Sequence, residues 1–268
     1  MKTCLVSIDV ENDLNEQTFE SISRMNAILS IFDKYKIKAS LYVTGDILKR
    51  FPDDVKKWSK KHEISMHALV HEPLFKFDSE TRKNHINEFL KLYEKVLGKG
   101  KKPAGYRAVQ HTIDQQQMLL LNALEFLYDS SVVPAYIPFR KYVGYKGKAP
   151  QVPYNPSATD YKKKGTLKIV ELPVTPLICG VSLYGTWIRI IPQLIYSIIL
   201  LLKKPKFLAL AMHPWDALEY KGELSKNSGK EFLKRLELTI QKLKKHYIFV
   251  SGEDIANGFN KSKTSSKN

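Results

Sequence analysis

What most limits the fold of this chain is an alternation of short apolar runs with amphipathic stretches at helical spacing. An apolar strand at 3–8 is followed by a helix around 18–35, the strand "IKASLYV" at 37–43 and a helix at 46–60. Next come "EISM" at 63–66, a helix at 79–97 opened by Asp78-Ser79-Glu80, a short strand at "AGYRA" and a helix at 114–123. Late in the chain "KFLALAM" at 206–212 and "YIFV" at 247–250 read as strands, with a charged helix at 229–245 between them. Such alternation demands parallel strands joined by crossover helices. A length of 268 residues with 43% apolar content suits one α/β unit.

Residues 134–166, rich in proline, tyrosine and lysine, break the alternation and read as an irregular insertion; 259–268 ("FNKSKTSSKN") reads as a disordered basic tail. The domain is therefore expected to span 1–258. Cys4 and Cys179 have no metal or disulfide spacing and are expected to be small core residues in a reducing compartment. With no leader pattern ahead of "TCLVSID", the expected location is cytoplasmic, at most peripheral to the inner membrane face. The net charge of +16 comes in lysine bursts at 98–102, 161–165 and 203–206, which favour phosphate-bearing partners. None of the bursts lies in a nucleic-acid-binding pattern, so no nucleic acid is expected. The segment 186–204, "TWIRIIPQLIYSIILLLKK", contains Arg189, Pro192 and Gln193 and is too interrupted to span a bilayer. Its apolar residues recur at helical spacing, giving either an outer helix packed on the sheet or an interfacial helix on anionic lipid.

Polar groups stand at the strand ends. "SIDVENDL" places Asp9, Glu11 and Asp13 at the end of the first strand, and side chains two apart on a strand share a face, which pairs Glu11 with Asp9. "EISMHALVHEPL" sets His67 and His71 four residues apart, a spacing that converges on one ion if the segment turns. Arg107, Asp129 and His213 stand after later strands, and the strand ends of a parallel barrel meet on one face.

In this order, "SIDVEND", "HALVHE", "GYRA", "YDSS", "ELPV" and "HPWD" resemble the motif series of the polysaccharide deacetylases of NodB-homology type, carbohydrate esterase family 4, in the form whose first motif reads Asp-Val-Glu-Asp. The resemblance implies a distorted, incomplete (β/α) barrel of about seven parallel strands and a divalent metal, usually Zn2+. It implies Asp9 as general base, His213 as general acid, Arg107 as the group orienting the base, and Glu11, His67 and His71 as metal ligands, with Asp13 the alternative to Glu11. It also places Tyr106 beside the acyl pocket. Asp129, Trp187 and Trp215 are further candidates for contact with substrate, and Asp216 for the acidic partner of His213.

The expected activity is metal-dependent hydrolysis of the N-acetyl group of an amino sugar, in a glycan or a lipid-linked glycan precursor met at an anionic membrane. The alternatives are an amidase or deformylase acting on a small non-sugar amide, and a basic membrane- or nucleic-acid-associated module that has lost the chemistry.

Overall fold

The computed structural model describes residues 2–14, 17–134, 148–174, 176–178, 181–203 and 205–265. In chain order the elements are β1 (Thr3–Val10), α1 (Met25–Lys34), β2 (Ser40–Thr44), α2 (Gly45–Arg50), α3 (Pro52–Trp58), β3 (Glu63–Ala68), α4 (Ser79–Leu97), β4 (Gly105–Tyr106), α5 (Gln115–Ala123) and β5 (Tyr128–Asp129). They continue with β6 (Val170–Glu171), β7 (Pro176–Ile178), β8 (Val181–Tyr184), α6 (Gly185–Ile190), α7 (Gln193–Lys203), β9 (Phe207–Met212), α8 (Gly229–Lys244), β10 (Ile248–Val250) and α9 (Gly252–Ser265).

The strands hydrogen-bond in the order β6-β5-β4-β3-β2-β1-β9-β8-β7, a curled half-barrel backed by helices. Every pairing is parallel except the β7–β8 hairpin, so nine strands run parallel among the described residues, against about seven expected. One edge of β1 is divided between two partners: Thr3–Leu5 pair with β10, and Ser7–Val10 with β2.

Period-two alternation builds the two faces. From β1, Cys4, Val6, Ile8 and Val10 enter the main core beneath the helices, while Leu5 joins Tyr42, Tyr128, Val170, Leu172 and Phe207 inside the barrel. Cys4 is buried as expected, with burial pushing its thiol up to about 12; Cys179 lies outside the described residues. The far end of the interior is closed by Glu63, whose carboxylate accepts from Ser40, Ser65 and Tyr128 hydroxyls at 2.6–2.7 Å and from the Glu253 N–H at 3.1 Å.

α4 starts where the sequence places it, with the Asp78 carboxylate accepting the Thr81 N–H at 2.7 Å. Elsewhere boundaries move for local reasons. Pro52 divides the helix expected at 46–60 into α2 and α3, because proline lacks the N–H a helix interior needs and suits a first turn. Pro192 likewise separates α6 from α7. The insertion is described from residue 148, where Tyr154 bridges Glu171 and Pro156 bridges Lys164. The tail expected to be disordered from 259 is instead helical to Ser265: Phe259 packs against the barrel-interior cluster, and Lys263 Nζ donates to Asn155 Oδ1.

Candidate active site

The alternation that buries Leu5 turns Ser7, Asp9 and Glu11 toward the same interior, at the C-terminal ends of the strands. Arg107, fully buried just past β4, meets them there. Its Nη1 donates to Asp9 Oδ1 at 2.6 Å and to Ser7 Oγ at 2.9 Å. Its Nε and Nη2 donate to the Ser130 carbonyl and hydroxyl at 3.1 and 3.0 Å, and the guanidinium lies 4.1 Å from the centre of the Tyr42 ring. The fork is thus locked by both its donors and its face. Burial would raise the Asp9 pKa, but the charge of Arg107, followed by His67, His213 and His111, brings it down to about 2, so the carboxylate stays ionised.

Glu11, His67 and His71 form a cluster whose ligand atoms all lie within 4.8 Å of one another. His67 is the penultimate residue of β3, and His71 follows on the turn after it. The Nδ1 of His67 faces the Arg107 carbonyl at 2.8 Å, an acceptor only, so that nitrogen carries the proton and Nε2 presents its lone pair. Nε2 then faces Glu11 Oε2 at 2.9 Å, and His71 Nε2 faces the same oxygen at 2.8 Å. Lone pairs converging on a carboxylate oxygen need a cation or a proton between them, and two imidazoles with one carboxylate are a donor set suited to a divalent transition metal.

His213, directly after β9, faces both groups: its Nε2 lies 3.9 Å from Asp9 Oδ2 and 3.8 Å from Glu11 Oε1. Its ring stacks on Trp215, with centroids 4.1 Å apart and planes at 14°. Asp216 accepts the His213 N–H at 3.1 Å, sits 3.7 Å from Nδ1 and pairs with the buried Arg189 of α6 at 3.5 Å. A Cβ at Gly185 would collide with the Asp216 carboxylate, so the start of α6 closes on it. Burial opposes protonation of His213, but Asp216, Glu11 and Asp9 together raise its pKa above the ordinary value.

Two groups escaped the sequence reading. Tyr184, the last residue of β8, donates its hydroxyl to Asp9 Oδ2 at 2.5 Å, and His111 Nε2 lies 2.9 Å from the same hydroxyl. Burial, then the charge of Arg107, lowers the His111 pKa to about 3. Because the phenol proton of Tyr184 goes to Asp9, neutral His111 is the donor to the phenol oxygen, from Nε2.

The polysaccharide deacetylase family model matches residues 11–128, from Glu11 through both histidines and Arg107. A peptidoglycan deacetylase-like protein of Gibberella zeae is 26% identical over 169 residues, covering 60% of this chain and 49% of the relative, so the chain spans about half that protein's length. A Mycobacterium smegmatis structure assigned to the polysaccharide deacetylases superposes with a TM-score of 0.67 at 19% identity, covering 98% of this chain and 92% of the other. PuuE allantoinase superposes at 0.63 and 16% identity, covering 95% and 88%. At these identities the two structures share the fold alone.

Within this fold, several of the sequence-derived candidates sit away from the cleft. Asp13 accepts from the Thr18 hydroxyl and the Glu20 and Ser21 N–H groups at 2.7–3.0 Å, capping the turn after β1 instead of joining the cluster. Tyr106 has the parity opposite to Arg107 and packs edge-on to Phe126 in the core under the helices. Trp187 packs against that same core from α6. Trp215 is at the cleft, and its Nε1–H finds no acceptor among the described residues.

Asp129 is fully buried and supports the site from behind: it holds the Ser131 hydroxyl at 2.6 Å, and that hydroxyl accepts the Ala108 N–H at 2.8 Å. Its neighbour Glu171 accepts the Val132 N–H at 3.0 Å. Burial raises both carboxyl pKa values, and the charge of Asp129 adds to the rise at Glu171, so a proton shared by the pair is expected. The linked stability is present at low pH and lost as pH rises through the raised pKa of Glu171. Glu171→Gln, which keeps a donor without a charge, is expected to flatten that loss, with a melting temperature a few degrees above wild type at alkaline pH and near it at acidic pH. Thermal melts across pH check this; parallel curves for the two proteins would refute the shared proton.

Proposed function

We propose that the chain is a metal-dependent N-deacetylase that hydrolyses the acetamido group of an amino sugar in a glycan or lipid-linked glycan precursor. The observation that carries the reading is the convergence, in one cleft, of an ionised carboxylate, an imidazole 3.9 Å from it and a Glu-His-His cluster. Glu11, His67 and His71 would hold the cation; the imidazoles favour zinc, and the carboxylate also admits cobalt, nickel or manganese. When bound, such an ion supplies Lewis acidity toward the acyl carbonyl and the attacking water.

The chain's own residues do the rest. Asp9, fixed by Arg107, accepts a proton from the water that attacks the acyl carbon. His213, kept protonated by Asp216 and the neighbouring carboxylates, gives its proton to the amide nitrogen, so that the amine departs and acetate remains. Trp215 holds the imidazole plane by stacking.

Tyr184 keeps Asp9 Oδ2 in place. Tyr184→Phe removes the donor and keeps the ring, and is expected to lower kcat about 10–100-fold with KM within about twofold, since the lost hydrogen bond to a charged group is worth about 1.5–3 kcal/mol. Steady-state kinetics would show it; an unchanged kcat would remove Tyr184 from the machinery.

The test of the reading is mass spectrometry of N-acetylated sugar oligomers and lipid-linked amino sugars incubated with metal-loaded protein. Loss of acetyl groups supports it. No loss from any amino sugar, together with hydrolysis of a small cyclic or linear amide, would favour the non-sugar amidase reading, which the shared fold of an allantoinase keeps in view.

A further inference from the structure

α7 shows two unlike faces. Tyr196 is buried and donates its hydroxyl to the Ser182 carbonyl at 3.0 Å, and Ile199 and Leu200 pack on the main core. The opposite face exposes Leu194 (73%), Ile195 (50%), Ile198 (47%), Leu201 (58%) and Leu202 (77%), the spacing of one continuous helical stripe. With Ile190, this short stretch carries six of the eleven exposed large apolar side chains among the described residues. Scattered exposed leucines need no explanation, whereas a contiguous stripe marks a surface that meets something apolar.

The surroundings say what it meets. No aspartate or glutamate occurs between Glu171 and Asp216, and Lys203 and Lys206 stand exposed at the C-terminal end of the stripe. Lys242 of α8 lies against Ser197, its Nζ 2.5 Å from the hydroxyl. The exposed face is aliphatic, without the tryptophan, tyrosine and arginine anchors that dominate protein–protein hot spots. An aliphatic stripe rimmed by lysine on a strongly basic chain complements a negatively charged lipid surface. Among the described residues no helix is long and apolar enough to cross a membrane, so α7 would lie in the interface plane.

We propose that the exposed face of α7 docks this protein on an anionic bilayer. The docking face is tied to the cleft: Tyr184, which holds Asp9, directly precedes α6, whose six residues rise about 9 Å before the chain enters α7. Docking would bring the cleft to headgroup level, where a lipid-linked sugar presents its acetamido group. That consequence rests on the deacetylase reading; the docking itself does not.

The test is co-sedimentation of the full chain with vesicles of phosphatidylcholine, with and without phosphatidylglycerol, read without any activity. Wild type is expected to pellet with phosphatidylglycerol vesicles, weakly with phosphatidylcholine alone, and less as salt rises. Leu201→Glu/Leu202→Glu, at two exposed positions, is expected to bind at least tenfold more weakly with unchanged melting temperature and metal content. Lys203→Gln/Lys206→Gln is expected to lose only the preference for phosphatidylglycerol. Absence of wild-type binding, or full binding by the double glutamate variant, would overturn the proposal. So would a concentration-dependent dimer abolished by that variant without vesicle binding, which would assign the face to a second copy. Vesicle binding without acyl loss from any sugar would leave the docking standing and remove the deacetylase reading.

Discussion

Asp9→Asn is expected to lose about 10²–10⁴-fold in kcat while keeping one metal per chain, the loss typical of removing a general base. Asparagine has the same shape: its carbonyl oxygen can still accept from Arg107, and its amide can donate to Tyr184. What disappears is the capacity to take a proton. The change also strips a fully buried guanidinium of its counter-charge at 2.6 Å. Breaking a buried pair costs about 3–5 kcal/mol when one partner is truncated, and an isosteric amide that keeps the hydrogen bond is expected to cost less than that. A melting temperature lower by several degrees is therefore expected alongside the kinetic loss. Parallel measurement of kcat, metal content and melting temperature separates the effects. A variant that folds, holds metal and keeps wild-type turnover would show that Asp9 is a structural partner of Arg107 and nothing more.

His71→Ala is expected to abolish both metal retention and activity. His71 is the cleaner of the two histidines to change, because its side chain is 26% exposed whereas that of His67 is 2% exposed and also tied to the Arg107 carbonyl. Elemental analysis should give about one divalent ion per wild-type chain and almost none in the variant. A ligand that binds only the folded state adds stability that chelation removes. The wild-type melting temperature should accordingly fall on adding a chelator, and that of His71→Ala should not respond. Full metal occupancy in the variant would dismiss the cluster as a centre.

Much of this site could be read from local pattern. Period-two alternation places Glu11 on the face of Asp9, and the four-residue spacing of His67 and His71 needs only the end of a strand and one turn. What eluded the sequence depends on neighbours that only the sheet order brings together. Tyr184 reaches Asp9 across 175 residues because β8 pairs with β9, and β9 with β1. His111 is aimed by a backbone at positive φ that neither it nor Gln110 announces. Asp129 reads as a strand-end group available to substrate, yet its setting is decided by Glu171, supplied after the insertion. The family resemblance sets Tyr106 beside the acyl pocket, yet adjacent residues on a strand face opposite ways, and its ring packs under the helices.

The shared edge of β1 bears on how the protein comes to be active during synthesis. Thr3 pairs with Ile248, so the strand that carries Asp9 acquires this neighbour only after residue 248 has left the ribosome. Contacts so distant in sequence form late and slow folding. Until then Thr3–Leu5 offer an open edge to any passing strand, a period in which chaperone cover matters most. A chain ending before residue 248 would carry every side chain of the cleft and still leave Thr3–Leu5 of its central strand unpaired on one edge, so the settled arrangement of the cleft should arrive only with β10.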